Sequence, residues 1–222
     1  MDNIAVRLAE IESTIPRGVR MVAVSKFHPV EKLREAYDAG QRLFGESRQQ
    51  ELLAKVDMMP SDVQWHFIGH LQTNKVRGII GKVAMIESVD TERLLKVIDA
   101  ESARAGVVTR VLMQVHVAKE ETKFGFSPEE LLQYFAEHRY ETLTSTHICG
   151  IMGMASNTDD MDRVRDDFRR IAQSKSAIDR VAPDLRGFDI VSMGMSHDYQ
   201  LAIECGANLV RIGTAIFGDR EY

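Results

Sequence analysis

Short hydrophobic runs rich in β-branched residues alternate along the chain with longer segments whose apolar positions recur every three or four residues. The first pattern predicts buried strands, and the second predicts amphipathic helices. Strands are predicted at residues 21–25, 42–45, 64–69, 84–88, 110–117, 147–152, 189–193 and 208–213. A helix is predicted before the first strand, at residues 3–13.

Capping residues mark several of the helical segments. The segment 29–39 ends at Gly40, and glycine is favoured just after a helix. The sequence Ser127-Pro128-Glu129-Glu130 predicts a capping box with proline at the first helical position. The segment 158–181 places its apolar residues mostly on one stripe, and Ser196 is predicted to cap a helix that stops at Gly206.

This order of strands and helices predicts a parallel sheet with crossover helices. Eight units favour a single closed (β/α)8 TIM-like barrel over residues 1–222, and a doubly wound open sheet is the alternative. Only nine residues, 214–222, follow the last strand, which is too few for a full closing helix. The extra N-terminal helix is expected to cover that gap, and no C-terminal β-domain is expected.

Composition narrows the class of protein. The 222 residues are 44% hydrophobic and 27% charged, with a net charge of −5 and no basic run, which argues against nucleic-acid binding. The sequence has neither a basic segment followed by an apolar block at its start nor a long apolar stretch, so neither a signal peptide nor membrane attachment is expected. We therefore expect a cytoplasmic location. Cys149 and Cys205 have no metal-ligand spacing and are expected to be reduced thiols.

Candidate chemistry lies at the predicted carboxyl ends of the strands, where barrels of this kind carry their sites. Lys26 follows the first strand and, because side chains alternate, shares a face with Val22 and Val24. If that face points inward, partial desolvation favours the neutral amine that attacks a carbonyl. The alternative is an ordinary solvated lysine.

The last two strands end in residues suited to bind an anion. Ser192, Gly194 and Ser196 follow strand seven, and Gly213 and Thr214 follow strand eight, where barrels bind phosphate. Plain turns and caps are the alternative interpretation. A lysine beside a phosphate site indicates a phosphorylated aldehyde or ketone, a class that includes pyridoxal 5'-phosphate (PLP) and sugar phosphates.

Arg211 lies within the last strand, on the same face as Gly213. A buried arginine is costly unless it is paired, and Glu46 and Glu87 are possible partners. The other interpretation is that Arg211 donates to a ligand.

Together these segments resemble the pyridoxal phosphate homeostasis protein family, whose fold is like the N-terminal domain of alanine racemase. The matching segments are 22–26 (VAVSK), 44–46 (FGE), 65–75 (WHFIGHLQTNK), 150–154 (GIMGM), 192–196 (SMGMS) and 210–218 (VRIGTAIFG). They run in the family's order over almost the whole chain.

The resemblance implies a PLP site with defined roles. Lys26 would hold PLP as a Schiff base, and Arg211 would face the pyridine nitrogen. The implied phosphate-binding residues are Ser192, Gly194, Ser196, Gly213 and Thr214, and the implied ring-lining residues are Ser47, His66, Ile68 and Met152. The chain departs from the family at Phe27-His28, usually Thr-Lys, and at Ser47 and His116, usually asparagine. Lys123, in a loop that matches the family, is interpreted as solvated.

The resemblance implies a carrier or buffer in PLP (vitamin B6) and amino-acid homeostasis, with no catalytic residue assigned. Candidate partners are PLP-dependent apoenzymes and enzymes that synthesise PLP. A PLP-dependent amino-acid racemase is one alternative, but its second base would come from a C-terminal domain and a dimer partner, so a monomer is expected here. The other alternative is a Schiff-base aldolase acting on a sugar phosphate, with His66 and Glu46 as its acid–base pair.

Overall fold

The computed structural model describes residues 3–117 and 124–219. In these residues eight parallel strands close into a barrel in chain order, which confirms the predicted fold class. The strands are β1 (Arg20–Val24), β2 (Leu43–Glu46), β3 (Gln64–Phe67), β4 (Met85–Val89), β5 (Thr109–Val115), β6 (Thr146–Gly153), β7 (Ile190–Ser192) and β8 (Leu209–Ile212). Each predicted strand is present, with ends that differ by a few residues.

Helices follow the strands and cover the outside of the barrel. They are α1 (Ile4–Thr14), α2 (Val30–Asp38), α3 (Gln49–Val56), α4 (Val76–Ile79), α5 (Glu92–Ala105), α6 (Pro128–Ala136), α7 (Met161–Val181), α8 (Tyr199–Glu204) and α9 (Thr214–Phe217). Two 3-10 turns add Thr73–Lys75 and Arg139–Thr142. Across the described part of the chain, no helix is both long enough and apolar enough to cross a bilayer.

The barrel closes where β8 pairs with β1, in the register Arg20 with Leu209 through Ala23 with Ile212. This pairing brings the first and last strands together, so that Lys26 and Arg211 reach the same end of the barrel. Outside the closure, α1 packs against α2 and α9. Thr14 Oγ1 lies 2.8 Å from the Tyr199 hydroxyl, which joins α1 to α8. The N-terminal helix α1 therefore covers the side of the barrel where a full-length helix after β8 would pack, as predicted.

Local capping explains where several helices begin and end. At the start of α6 the Glu130 N–H donates to Ser127 Oγ (3.1 Å), and the Ser127 N–H donates to Glu130 Oε2 (2.8 Å). This is the predicted capping box. Gly40, after α2, has a φ of +109°, a conformation in which glycine is favoured.

The prediction that Ser196 caps the helix ending before Gly206 is wrong. That helix, α8, begins at Tyr199, and Asp198 occupies its cap position. Ser196 turns instead toward the loop after β8, where its Oγ accepts from the Gly213 N–H (3.3 Å) and the Ala215 N–H (3.4 Å). Ser196 lies three residues before the helix, next to two backbone N–H groups of the neighbouring loop. Its hydroxyl accepts from these groups instead of from the first N–H groups of α8.

The hydrophobic core has two layers. The larger one lies between the outer face of the barrel and the helices, with fully buried Phe44, Phe135 and Phe168 among its members. The smaller one fills the barrel interior and contains Val22, Met85, Leu112, Cys149, Met152, Ile190 and Leu209. Cys149 is buried and Cys205 is half-buried, and both are thiols. The filled interior confines any ligand to the mouth of the barrel.

Candidate ligand site at the mouth of the barrel

A cavity of about 300 Å³ opens at the carboxyl ends of the strands. It is formed by residues from β1, β8 and the loops after β1, β2, β3, β6, β7 and β8. The lining residues are Val24, Lys26, His28, Ser47, Ile68, Gly69, Met154, Met195, Ser196, His197, Arg211, Gly213 and Thr214. Small-molecule sites occupy such concave positions, mostly apolar with a few convergent polar groups.

Lys26 reaches the cavity because β1 alternates its side chains. Val22 lies in the barrel interior, and Val24 and Lys26 follow on the same face and line the cavity wall. The chain then turns, with the His28 N–H donating to the Ser25 carbonyl (3.1 Å). Lys26 is half-buried, so the inward face assumed from the sequence is confirmed.

Arg211 forms the floor of the cavity and is only 4% exposed. Its guanidinium donates to Ser192 Oγ and to the Gly153 carbonyl (3.0 Å), and it lies 3.6 Å from Glu87 Oε2. Ser192 Oγ also donates to Glu87 Oε2 (2.6 Å). Of the two carboxylates considered as partners, Glu87 is the one that pairs with Arg211.

Glu87 connects Arg211 to His66, whose Nδ1 lies 2.6 Å from Glu87 Oε1. Burial alone would raise the pKa of Glu87, but the hydrogen bond and charge of His66, with the charge of Arg211, hold it below its ordinary value. Burial lowers the pKa of Arg211, and the negative charge of Glu87 opposes that change. The network therefore supports an ionised carboxylate beneath a guanidinium.

The loops after β7 and β8 line the part of the cavity next to β1, because β8 pairs with β1 in the closed barrel. Ser196 Oγ accepts from two backbone N–H groups of the β8 loop, so its hydroxyl hydrogen can donate to an oxygen in the cavity. Gly213 and Thr214 line the same side. A side chain at Gly213 would place Cβ 3.2 Å from the Val24 carbonyl, so glycine lets β8 approach β1 closely.

Two of the residues predicted to bind phosphate lie behind the cavity wall. Ser192 is fully buried and bonded to Glu87 and Arg211. Gly194 has a φ of +93°, and a Cβ there would lie 2.6 Å from that of Ala202, so this glycine serves loop–helix packing. The structure thus brings Ser196, Gly213 and Thr214 to the cavity but not Ser192 or Gly194.

The four predicted ring-lining residues divide in the same way. Ser47 and Ile68 line the cavity, whereas His66 and Met152 are buried one pleat below it, in the barrel interior. Met154, two residues beyond Met152 on β6, reaches the cavity instead. The predicted faces agree with the structure, but two of the residues lie deeper than the ligand site.

Several cavity residues were not singled out from the sequence. His28 is buried with its ring 5.1 Å from that of Phe217, and His197 is exposed at the rim. Their signal was position alone, since each lies within a few residues of a predicted strand end. Lys123 lies outside the described residues.

The pair proposed for aldolase chemistry does not face the cavity. His66 is engaged with Glu87 below it. Glu46 points away from the barrel interior toward α3, where its Oε1 accepts from Lys55 Nζ (2.7 Å). Neither group is placed to exchange a proton with a substrate on Lys26.

The donor set of the cavity suits an aromatic aldehyde that carries a phosphate. Its lining includes the amine of Lys26, the guanidinium of Arg211 and the hydroxyls of Ser196 and Thr214. Val24, Ile68 and Met154 add apolar surface to the lining. The volume of about 300 Å³ is at the small end of the range for ligand sites, so it suits a compact molecule.

Comparisons with known proteins agree on the family. The family model that describes the N-terminal domain of alanine racemase matches residues 1–221 of this chain. The pyridoxal phosphate homeostasis protein of Aquifex aeolicus is 39% identical over 91% of this chain and 88% of its own length. The homologue of the same name from Schizosaccharomyces pombe is 39% identical over 94% of this chain and 87% of its own.

Solved structures show the same relationship. PipY of Synechococcus elongatus, solved with PLP bound, is 35% identical and covers 97% of this chain and 100% of its own, with a TM-score of 0.90. The alanine racemase of Clostridium difficile 630 is 14% identical, with a TM-score of 0.78 over 58% of that enzyme, a likeness of fold alone. This chain therefore belongs to the alanine racemase N-terminal-domain family and, within it, groups with the pyridoxal phosphate homeostasis proteins.

Proposed function

We propose that this protein binds PLP as a Schiff base on Lys26 and acts in PLP homeostasis as a carrier or buffer. The observation that carries the proposal is one small cavity that is lined by Lys26, by Arg211, and by Ser196 and Gly213 from the loops after β7 and β8. The PLP-bound structure of PipY, 35% identical with matching fold over 97% of the chain, supports the choice of ligand.

Each part of the cavity has a task in this proposal. Lys26 supplies the amine that holds the aldehyde carbon. Ser196, Gly213 and Thr214 bind the phosphate, and Arg211 donates toward the pyridine nitrogen. Ser47, Ile68 and Met154 line the ring, and the buried His66, Met152, Ser192 and Gly194 support these groups from behind. PLP supplies a reactive aldehyde and, in enzymes, an electron sink.

A carrier is favoured over a catalyst by the floor of the cavity. Arg211 is a donor without a proton to yield, and Glu87, Ser192 and Gly153 fix it in place. A pyridine nitrogen that faces it stays unprotonated and accepts electrons poorly, which limits carbanion chemistry. The aldolase alternative also loses its acid–base pair, because His66 and Glu46 are engaged away from the cavity.

The binding proposal is tested by titrating the purified protein with PLP and following the visible absorption of the imine. We expect a saturable band that is lost in Lys26→Ala. Lys75→Ala is the matched control, because Lys75 lines a neighbouring groove that shares Ser47 with the cavity but is not itself in the cavity. A specific site on Lys26 would be contradicted if both variants lost the absorption band equally, or if neither variant lost it.

The carrier role needs a second experiment. The PLP-loaded protein is mixed with a PLP-dependent apoenzyme while an excess of an aldehyde scavenger removes PLP released to solution. Recovery of enzyme activity in spite of the scavenger supports handover. Recovery only without the scavenger indicates a buffer that releases PLP, and steady-state racemisation by the protein alone would refute the non-catalytic role.

A further inference from the structure

A buried ion pair lies outside the barrel wall, next to the turn that carries Lys26. Lys55 on α3 is 7% exposed and Glu46 at the end of β2 is fully buried, although lysine and glutamate are rarely buried. Their Nζ and Oε1 atoms are 2.7 Å apart. Neither residue lines the cavity.

The pair holds the peptide group that precedes Lys26. Lys55 Nζ donates to the Ser25 carbonyl (2.9 Å) as well as to Glu46. Ser25 Oγ donates to the same Glu46 oxygen (2.7 Å), so the backbone and the side chain of Ser25 are both held. These contacts hold the end of β1 against α3.

A third residue holds the peptide group that follows Lys26. Glu51 Oε2 accepts from the Phe27 N–H (2.8 Å) and lies 3.4 Å from Lys55 Nζ. Phe27 has a φ of +67°, at the third position of a turn where glycine is favoured. The Arg48 guanidinium lies 4.8 Å from the centre of the Phe27 ring. A bulky residue keeps such a conformation only when its surroundings enforce it.

A gain in folding stability is a poor explanation for the buried pair of Lys55 and Glu46. Buried ion pairs often contribute little net stability because both charges lose water. Within the described residues Glu46 Oε2 has no hydrogen-bond partner, and burial raises the pKa of Glu46 in spite of the Lys55 charge. The contacts converge instead on the two peptide groups that flank one residue, Lys26.

We propose that Lys55, Glu46 and Glu51 are positioning residues that lock the strained turn at Phe27 and thereby direct Lys26 for attachment of PLP. The inference rests on the proposed function and adds to it the device that sets how tightly PLP is held. Without these contacts the turn relaxes, and Lys26 must be ordered again each time PLP binds.

The test compares Glu51→Ala with Glu92→Ala. Glu92 is a matched control because it also lies in the first turn of a helix, pairs with a lysine four residues on, and has a similar side-chain exposure (29% against 22%). We expect Glu51→Ala to weaken PLP binding about tenfold, as loss of a charge-assisted hydrogen bond would, and Glu92→Ala to leave it unchanged. Binding is measured from the imine absorption, and the melting temperature without PLP reports stability.

A second pair of variants separates positioning from general destabilisation. In a Phe27→Gly background the turn no longer requires enforcement, so Glu51→Ala should weaken PLP binding only about twofold. The paired replacement Glu46→Gln with Lys55→Met removes both charges of the buried pair and so leaves neither one buried alone. It should weaken PLP binding in the Phe27 protein more than in the Phe27→Gly protein.

The outcomes are distinguishable. Equal effects of Glu51→Ala in both backgrounds, or a fall in melting temperature with unchanged PLP binding, would overturn the positioning role while the Lys26 site stands. Absence of a Lys26 imine in the unaltered protein would overturn the proposed function and this inference with it.

Discussion

Replacing Arg211 with methionine removes the guanidinium from the cavity floor and keeps most of the side-chain volume. Arg211 and Glu87 are 4% and 0% exposed, and their closest charged atoms are 3.6 Å apart. Breaking a buried pair by removing one partner costs about 3–5 kcal/mol, because the other charge stays buried. Glu87 keeps its contacts with His66 and Ser192, so we expect the lower end, about 3 kcal/mol.

Urea unfolding of the protein without PLP measures this cost. With a slope of about 2 kcal/mol per molar urea, the midpoint should fall by about 1.5 M. Arg42→Met is the matched control, since its pair with Asp62 is exposed (38% and 56%) and should contribute less than about 1 kcal/mol. Equal small losses in the two variants would refute the view that Arg211 is held by a buried network.

The same comparison has a defined pH dependence. Because the pKa of Glu87 is lowered in the folded protein, ionised Glu87 contributes stability that is present above its ordinary value of 4.5 and is lost as the pH falls through the folded value. Without Arg211 the folded pKa rises, so this contribution shrinks. The difference in the free energy of unfolding between the unaltered protein and Arg211→Met should therefore be smaller at pH 4 than at pH 7. A difference that stays constant or grows on acidification would contradict this assignment.

Three further replacements test other parts of the structure. Ser196→Ala should weaken PLP binding about tenfold and weaken competition by inorganic phosphate in the same titration, because it removes a hydroxyl from the proposed phosphate site. Gly150→Ala should destabilise the fold by about 3 kcal/mol or more in urea unfolding, since the new Cβ would lie 1.9 Å from the Ile190 carbonyl oxygen. Ser127→Ala should cost about 1 kcal/mol through loss of the α6 cap and leave the imine absorption unchanged.

Much of the fold could be predicted because the signals are local. Hydrophobic runs and turn residues located each strand, and the count of eight favoured closure over an open sheet. Gly40 and the Ser127 capping box act within a few residues of chain, so they were found directly. Ser196 was misplaced because its partners, Gly213 and Ala215, come from a neighbouring loop that local pattern does not reveal.

For the site, strand alternation gave the face of a residue but not its depth. Val22, Val24 and Lys26 share a face, and only the last two reach the cavity. The family resemblance implied that His66 and Met152 line the ring, but both are buried one level below the cavity. Depth depends on strand tilt and register around the closed barrel, which are long-range properties of the sheet.

The Lys55–Glu46 pair gave no local signal. A lysine on a helix is ordinarily solvated, and its burial here depends on how α3 packs against the ends of β1 and β2. Alternation does place Glu46 on the opposite face from Gly45 and Ser47, so the sequence contained the reason that it does not pair with Arg211. That reason applies only once the inward face of β2 is known.

The most direct test of the central claim is borohydride reduction of the PLP-treated protein followed by peptide mass mapping. Reduction converts an imine to a stable amine, so the modified lysine is identified whatever its affinity. We predict a single adduct on the peptide that contains Lys26, with none at the cavity in Lys26→Ala. Adducts spread over surface lysines, or a single adduct on another lysine, would contradict the assignment of this cavity as a PLP site.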